Sequence, residues 1–460
     1  MSMALKMRFY SKLEEYHRGT HKGAEIEHSI TELLLKSHEE SVSILNSNML
    51  RHHFVSFPLL NYIQLTKTEG AIKYIDLVDK NFYQNDSHGE FELDTHKHDF
   101  SPRFIHFHEF AMFNLLKDLQ KNQSNDGFLE KAIEEYEEKN KLEKEKKVSS
   151  VIKCEKTKDE KKPIKIINPD VEKKNLYKVG LVNIAIEEDN ILKSINCMPN
   201  LSIERLFRIN KALNIARKDK CDLLIFPEVS IQFVWLNELV QFAKKNNIAI
   251  VCGLEHINVG NAHEIYNFVC TILPFKHNYH QNAVVDFRLK KDYSPEEKRI
   301  IEGRKYTIPE AWQKNPLRIY NWNNLLFSVF NCYELTDIKK RAMFIGELDL
   351  MIGVEYNRDT HYFSNIAEST ARDLHVFFAQ VNSSNFGDSR ITKPSKKDAM
   401  DIVKIKGGEN ISVQVGTIDI KSLREHQKLS YELQKDNDSY KPTPPDFTMS
   451  GDRGGKCHKN

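Results

Sequence analysis

From about residue 176 onward the sequence is a succession of short apolar runs separated by amphipathic stretches, and few folds can accommodate that pattern. VGLVNIAI (179–186), DLLIFPE (222–228), IAIVCGLE (248–255), FVCTILPF (268–275), NAVVDFRLK (282–290), LLFSVFNC (325–332), LDLMIGVE (348–355) and HVFFAQVN (375–382) read as strands. Their apolar residues are largely continuous rather than alternating, which is what strands covered on both faces require. SIERLFRINKALNIARK (202–218) and WLNELVQFAKKN (235–246) read as helices, with Leu206, Ile209, Leu213 and Ile215 of the first toward a core; another helix is predicted near 362–373. Alternation of this kind predicts an α/β layered domain with buried sheets.

The rest of the chain is different. Residues 134–162 mix both charge signs densely with almost no apolar residues, and such a stretch cannot bury a core. Upstream, the spacing of Ile30, Leu33 and Leu34, and similar spacing over 43–66 and 105–121, predicts helices. The expected organisation is a mostly helical N-terminal region (1–133), a charged linker (134–172), the α/β domain (173–425) and a disordered tail (426–460).

Lys+Arg 67 against Asp+Glu 65 leaves a net charge of +2, so nothing drives the whole chain toward nucleic acid or a membrane surface. No apolar run reaches the roughly 20 residues of a spanning helix. The N-terminus MSMALKMRFYSK lacks the apolar block of a secretory signal. Seven scattered cysteines without C-x-x-C exclude a disulfide framework or zinc ribbon and imply a reducing, cytoplasmic setting. His96, His98, His106 and His108 form two H-x-H pairs around a Ser-Pro turn, a pattern read as solvent-facing rather than metal-binding. The chain has no G-x-x-x-x-G-K-[ST], so no nucleotide-binding P-loop is inferred; no metal or cofactor is expected.

Three residues at the ends of three strands make chemical sense together: Glu228 after LLIFP, Lys290 after VVDFRL, and Cys332 after FSVFN. A thiol attacks a carbonyl or nitrile carbon mainly as thiolate. A carboxylate in reach can take its proton. An ammonium lowers the thiol pKa and stabilises a developing oxyanion. Each residue alone has an ordinary reading: a small core residue, a loop carboxylate, a solvated edge charge.

In the order FPE (226–228), GLE (253–255), YN (266–267), FRLK (287–290) and NCYE (331–334), the sequence resembles the nitrilase superfamily of carbon–nitrogen hydrolases over roughly 176–420. The resemblance implies a four-layer αββα sandwich, a Glu–Lys–Cys triad formed by Glu228, Lys290 and Cys332, and an acyl-thioester intermediate. It implies that Lys290 and a backbone N–H near Tyr333 hold the oxyanion. It also implies a second, positioning glutamate seven residues after the lysine, where Glu297 stands, with Glu296 as competitor. Lys291 adjoins Lys290, and alternation lets only one face a pocket; the seven-residue spacing favours Lys290. Homo-oligomerisation through packed helices is a further expectation. The second hypothesis is a scaffold or ligand sensor of the same fold without turnover.

ELTDIKKR (334–341), GVEYNRDTHYFS (353–364), STARDLHVFFAQVNSSNFGDSRI (369–391) and IKGGEN (405–410) are similar to the nitrilase-like module of some bacterial antiviral reverse transcriptases. That similarity implies a role in antiphage defence and a reverse transcriptase or other defence component as partner; the chain itself has no YxDD-type motif. Tyr333, Glu355, Asn357, Asn382 and Arg390 fall in loops where family members line the acyl pocket. They point to a polar or charged small-molecule substrate, the alternative being a hydrogen-bonded loop without a ligand; Arg390 could take a carboxylate or phosphate of the substrate or pair with Asp388 or Glu355.

Overall fold

The computed structural model describes residues 174–454, apart from 259–262, 278–279, 310–315 and 397–398, together with 128–139, 152–155, 163–168 and isolated earlier positions. The helices expected at 29–38 and 43–66 lie outside the described residues. By internal contacts the chain falls into two units, Met1–Ile105 with Lys139–Lys141, and His106–Glu138 with Leu142–Asn460. In the first unit, the described strands are Glu90–Phe91 and Arg103–Phe104, which pair antiparallel.

The second unit contains two large sheets. In one, six strands run in the order His280–Leu289, Phe268–His277, Ala249–Gly253, Leu223–Ile225, Leu176–Asn183, Ser412–Asp419. In the other, eight run in the order Asp401–Ile405, Ser389–Thr392, Phe377–Asn382, Leu350–Glu355, Leu325–Asn331, Arg318–Trp322, Ile164–Asn168, Lys153–Glu155. Both sheets are mixed, with a parallel centre and antiparallel edges. The central strands are buried along their whole length, in keeping with their continuous apolar sequences.

Helices Ile203–Lys218 and Leu236–Asn246 pack on the six-stranded sheet, and Thr360–Asp373 packs on the eight-stranded one. The two sheets pack against each other and are tied by polar contacts. Trp322 Nε1 donates to the Pro274 carbonyl at 2.9 Å, Tyr320 Oη to Asp286 Oδ2 at 2.7 Å, and Tyr177 Oη to the Asn323 carbonyl. The result is the four-layer αββα sandwich. No helix among the described residues is long and apolar enough to cross a membrane.

Four expectations need correction. Residues 106–138 cluster with the sandwich, so the division falls before 106 rather than at 133. His108, expected in solvent, is buried, with Nε2 3.3 Å from Gln241 Nε2. The stretch 134–172 is not linker throughout, because Ile164–Asn168 pairs in parallel with Arg318–Trp322 and buries Ile164 and Ile166. Nor is the tail disordered over 426–454. It carries a helix at Tyr431–Lys435, and its Arg453 is buried on Asp349 at 3.0 Å. The anchors there are polar and aromatic, so the apolar pattern gives no sign of them.

Candidate active site

Each candidate residue stands where a strand ends. Glu228 follows Leu223–Ile225 through Phe226 and Pro227, and Val229 takes a left-handed φ of 46° to turn the chain. The turn lies directly on Gly253: a Cβ there would fall 2.4 Å from Glu228 Cα, so no larger residue fits. Lys290 follows His280–Leu289 and is fixed by its N–H donating to the Asn267 carbonyl at 2.8 Å. Cys332 begins a short 3-10 helix, Cys332–Thr336, directly after Leu325–Asn331. Its φ of 47° is costly for a residue with a Cβ and holds the thiol on a sharp elbow.

The elbow is braced from below. Glu334 is buried and receives Arg288 in two hydrogen bonds, at 2.9 and 2.7 Å. The same carboxylate accepts the N–H of Lys291 at 2.7 Å and of Asn331 at 2.8 Å. One ion pair thus ties the lysine strand to the cysteine elbow, and the paired, bidentate geometry makes it strong. Burial opposes ionisation of Glu334, but Arg288 outweighs it and holds the carboxyl below its usual range.

The side chains converge on Lys290, whose side chain is 2% exposed. Its Nζ lies 2.7 Å from Glu228 Oε1 and 2.5 Å from Glu297 Oε2. Of the two adjacent lysines it is Lys290 that reaches the carboxylates, while Lys291 touches Glu334 through its backbone. Of the two adjacent glutamates, Glu297 makes the contact; Glu296 is exposed and pairs with Arg299 at 3.6 Å. Asn267 Nδ2 bridges Glu228 Oε1 and Glu297 Oε1, each at 3.3 Å, and His256 Nε2 approaches Glu297 Oε1 at 3.3 Å. The Tyr356 N–H donates to Glu228 Oε2 at 3.1 Å, and the Cys332 thiol lies close enough to Glu228 for each to act on the other's ionisation.

The charge states follow. Burial works against the Lys290 ammonium, but two carboxylates more than compensate and hold it well above the usual lysine range. Burial also pushes Glu297 up, yet Lys290 and His256 bring it down to about 2. Glu228 is pushed up by burial, with Lys290 opposing, which makes it a stronger base than an exposed carboxylate. Burial and the Glu228 charge push the Cys332 thiol well above its ordinary value. Cys332 therefore rests as a thiol near a base, not as a preformed thiolate.

The loop candidates separate. Tyr333 follows the thiol on the elbow, half-buried. Glu355 ends Leu350–Glu355 beside Cys332, buried. The Asn357 N–H donates to Asn382 Oδ1 at 3.0 Å, and Asn382 Nδ2 donates to the Asn357 carbonyl at 2.8 Å and the Gly387 carbonyl at 3.1 Å. Arg390 pairs with Asp388 at 2.7 Å and Glu368 at 3.3 Å. Asn382 and the terminal nitrogens of Arg390 are thus taken up by partners inside the protein, Asp388 among them. Sequence reasoning passed over Asn267, His256, Arg288 and Glu334. Asn267 and Glu334 lay inside the quoted YN and NCYE motifs, whereas nothing marked His256.

No protein-family model and no curated protein matches the chain. Among solved structures it is similar to an amidase from Nesterenkonia sp., at 15% identity over 58% of this chain and 98% of that one, with a TM-score of 0.38. A glutamate-to-glutamine mutant of that amidase, carrying the acetamide moiety of fluoroacetamide on its active-site cysteine, gives 15% identity, the same 58% and 98% coverage and a TM-score of 0.39. XC1258 from Xanthomonas campestris, a CN-hydrolase superfamily protein with an arsenic adduct in its active site, gives 14% identity over 57% and 98% with a TM-score of 0.39.

Proposed function

We propose that the chain is a thiol-dependent hydrolase of non-peptide carbon–nitrogen bonds, of the nitrilase type, acting on a small amide-like substrate. The observation that carries this reading is one buried ammonium shared by two carboxylates, with an elbow thiol beside them. Glu228 removes the Cys332 proton as sulfur attacks the carbonyl carbon. Lys290 and the Tyr333 N–H stabilise the tetrahedral oxyanion. The leaving nitrogen takes the proton from Glu228, and the acyl group remains as a thioester. Water then attacks, its proton passes to Glu228, the acid leaves, and Cys332 regains its proton. Glu297 keeps Lys290 charged and in place throughout.

The test is intact-protein mass spectrometry after exposure to a panel of short amides and to cell extract. An acyl mass on Cys332 that disappears in Cys332→Ala and builds far more slowly in Glu228→Gln is expected. Absence of any adduct, with thiol alkylation rates equal in wild type and Glu228→Gln, would overturn the assignment.

Ile338, Met343, Ile345 and Tyr362 are apolar yet 70, 38, 43 and 47% exposed, on and between the helices beside the eight-stranded sheet. Exposed apolar side chains on neighbouring stretches favour self-association, and we include a homo-oligomer in the proposal; Ile338→Glu should lower the mass seen in sedimentation. The motifs shared with antiviral reverse transcriptases extend the proposal to phage defence. Loss of protection in a Cys332→Ala strain would tie that role to turnover, and intact protection would favour the scaffold reading.

A further inference from the structure

Among the described residues, the buried acids Glu228, Glu255, Asp286, Glu334 and Asp349 each have a lysine or arginine within ion-pair distance. Glu355, 1% exposed, has none. Gln380 Nε2 donates to its Oε2 at 2.9 Å, and Oε1 has no hydrogen-bond partner among the described residues. The Gln380 Oε1 is buried and equally unpaired. Two orphan oxygens on neighbouring strands are costly to keep, so they call for a partner.

Their position supplies the context. Strand register sets Val354 beside Asn331, which places Glu355 beside Cys332; the next residue, Tyr356, donates its N–H to Glu228. Gly353 makes room for the carboxyl, since a Cβ there would lie 3.3 Å from Glu355 Oε1 and 2.8 Å from Leu335 Cδ1. Leu335 and Cys332 share one buried cluster, and the Glu355 charge acts on the Cys332 thiol, so the acid stands near the reacting sulfur. The charged groups that act on Glu355 are Glu228, Asp388 and Arg390. Arg390 is already committed to Asp388 and Glu368, and leaves Glu355 without a counter-ion.

We propose that Glu355 and Gln380 form the specificity element of this site and take a cationic group of the substrate, an ammonium or guanidinium carried on the same small molecule as the scissile amide. This deepens the hydrolase reading above and rests on it. Two acceptor oxygens match a group that has donors only. An anionic substrate would add charge where Glu228 and Glu297 already outnumber Lys290. Burial pushes the carboxyl well above its usual range, toward the protonated form. On binding, the acid gives its proton to solvent, and the carboxylate so formed pairs with the incoming cation.

The experiment is calorimetry on Cys332→Ala protein, which binds without turnover, using 4-aminobutanamide, its neutral isostere pentanamide and the anionic glutaric acid monoamide. The ammonium amide should bind at least about tenfold tighter than pentanamide, as a charge-assisted hydrogen bond implies. Repeating the titration at neutral pH in two buffers of different ionisation enthalpy should show close to one proton released. Adding Glu355→Gln should bring the preference below about threefold while pentanamide still binds. Equal affinities, no binding, anionic preference, absence of proton release or a preference that survives Glu355→Gln would each overturn the proposal. Proton release is read without the Glu355 variant, so a folding failure there does not shield the idea. Thioester formation on wild-type Cys332 reports on the hydrolase assignment separately: acylation without cation preference sinks this inference alone.

Discussion

The strand Leu350–Glu355 is flanked by two buried carboxylate clusters that differ in charge balance. Before it, Asp349 receives Arg424 at 2.8 Å, Arg453 at 3.0 Å and the Leu326 N–H at 3.0 Å. Beyond it, Lys290 alone serves both Glu228 and Glu297. At the first cluster burial is overcome by two guanidinium groups, and Asp349 is held below its usual range. At the second the cation is outnumbered, and burial wins at Glu228. A surplus of cations makes an inert clamp, whereas a deficit leaves a carboxylate basic enough to move a proton.

The comparison breaks most visibly at the thiol. Cys332→Ala should lower turnover by roughly 10⁴-fold or more, and Glu228→Gln by about 10²–10⁴-fold, with thermal unfolding little changed in either. Arg453→Met should do the reverse. Removing one partner of a buried ion pair costs about 3 kcal/mol, read as a lowered denaturant midpoint, while the Cys332 alkylation rate stays near wild type. Gly253→Ala should combine both effects, because its methyl meets Glu228 backbone. A cost of about 1–3 kcal/mol and slower acylation are expected, and full activity would show that the turn yields.

A subtler test uses acid. Glu297 is held at about 2, below an ordinary carboxylate. Its contribution to stability is therefore complete above the unfolded value of roughly 4.3 and fades as pH falls toward 2. Asp349, also depressed, acts in the same direction. Glu228 and Glu355 have raised values, so each favours the folded state more as pH falls through them. Glu297→Gln should flatten the loss of stability between about pH 4.5 and 2, measured by urea titration at each pH. An unchanged slope would mean that Lys290 does not hold that carboxylate ionised.

Much of this was legible because the central strands are buried on both faces and so spell continuous apolar runs. The helices at 203–218 and 236–246 and the strand ends bearing Glu228, Lys290 and Cys332 follow from that pattern and from the motif order. The edges did not announce themselves. Asp401–Ile405 is half-exposed, Ser389–Thr392 is polar though buried, and Ile164–Asn168 is a brief apolar run inside a charged stretch. The segment after 425 is held by His375 and His426, both on the Lys441 carbonyl at 2.7 and 3.0 Å, and by Arg453, residue types that ordinarily indicate surface. A backbone donor such as the Tyr356 N–H has no signature in side-chain letters at all.

The buried, still-protonated state of Cys332 has a consequence for durability. Peroxide and other oxidants react with thiolates far faster than with thiols, and Cys332 is only 8% exposed. An idle molecule thus keeps its thiol in a form that ages slowly; under the proposed mechanism it becomes vulnerable only for the brief interval in which Glu228 takes its proton.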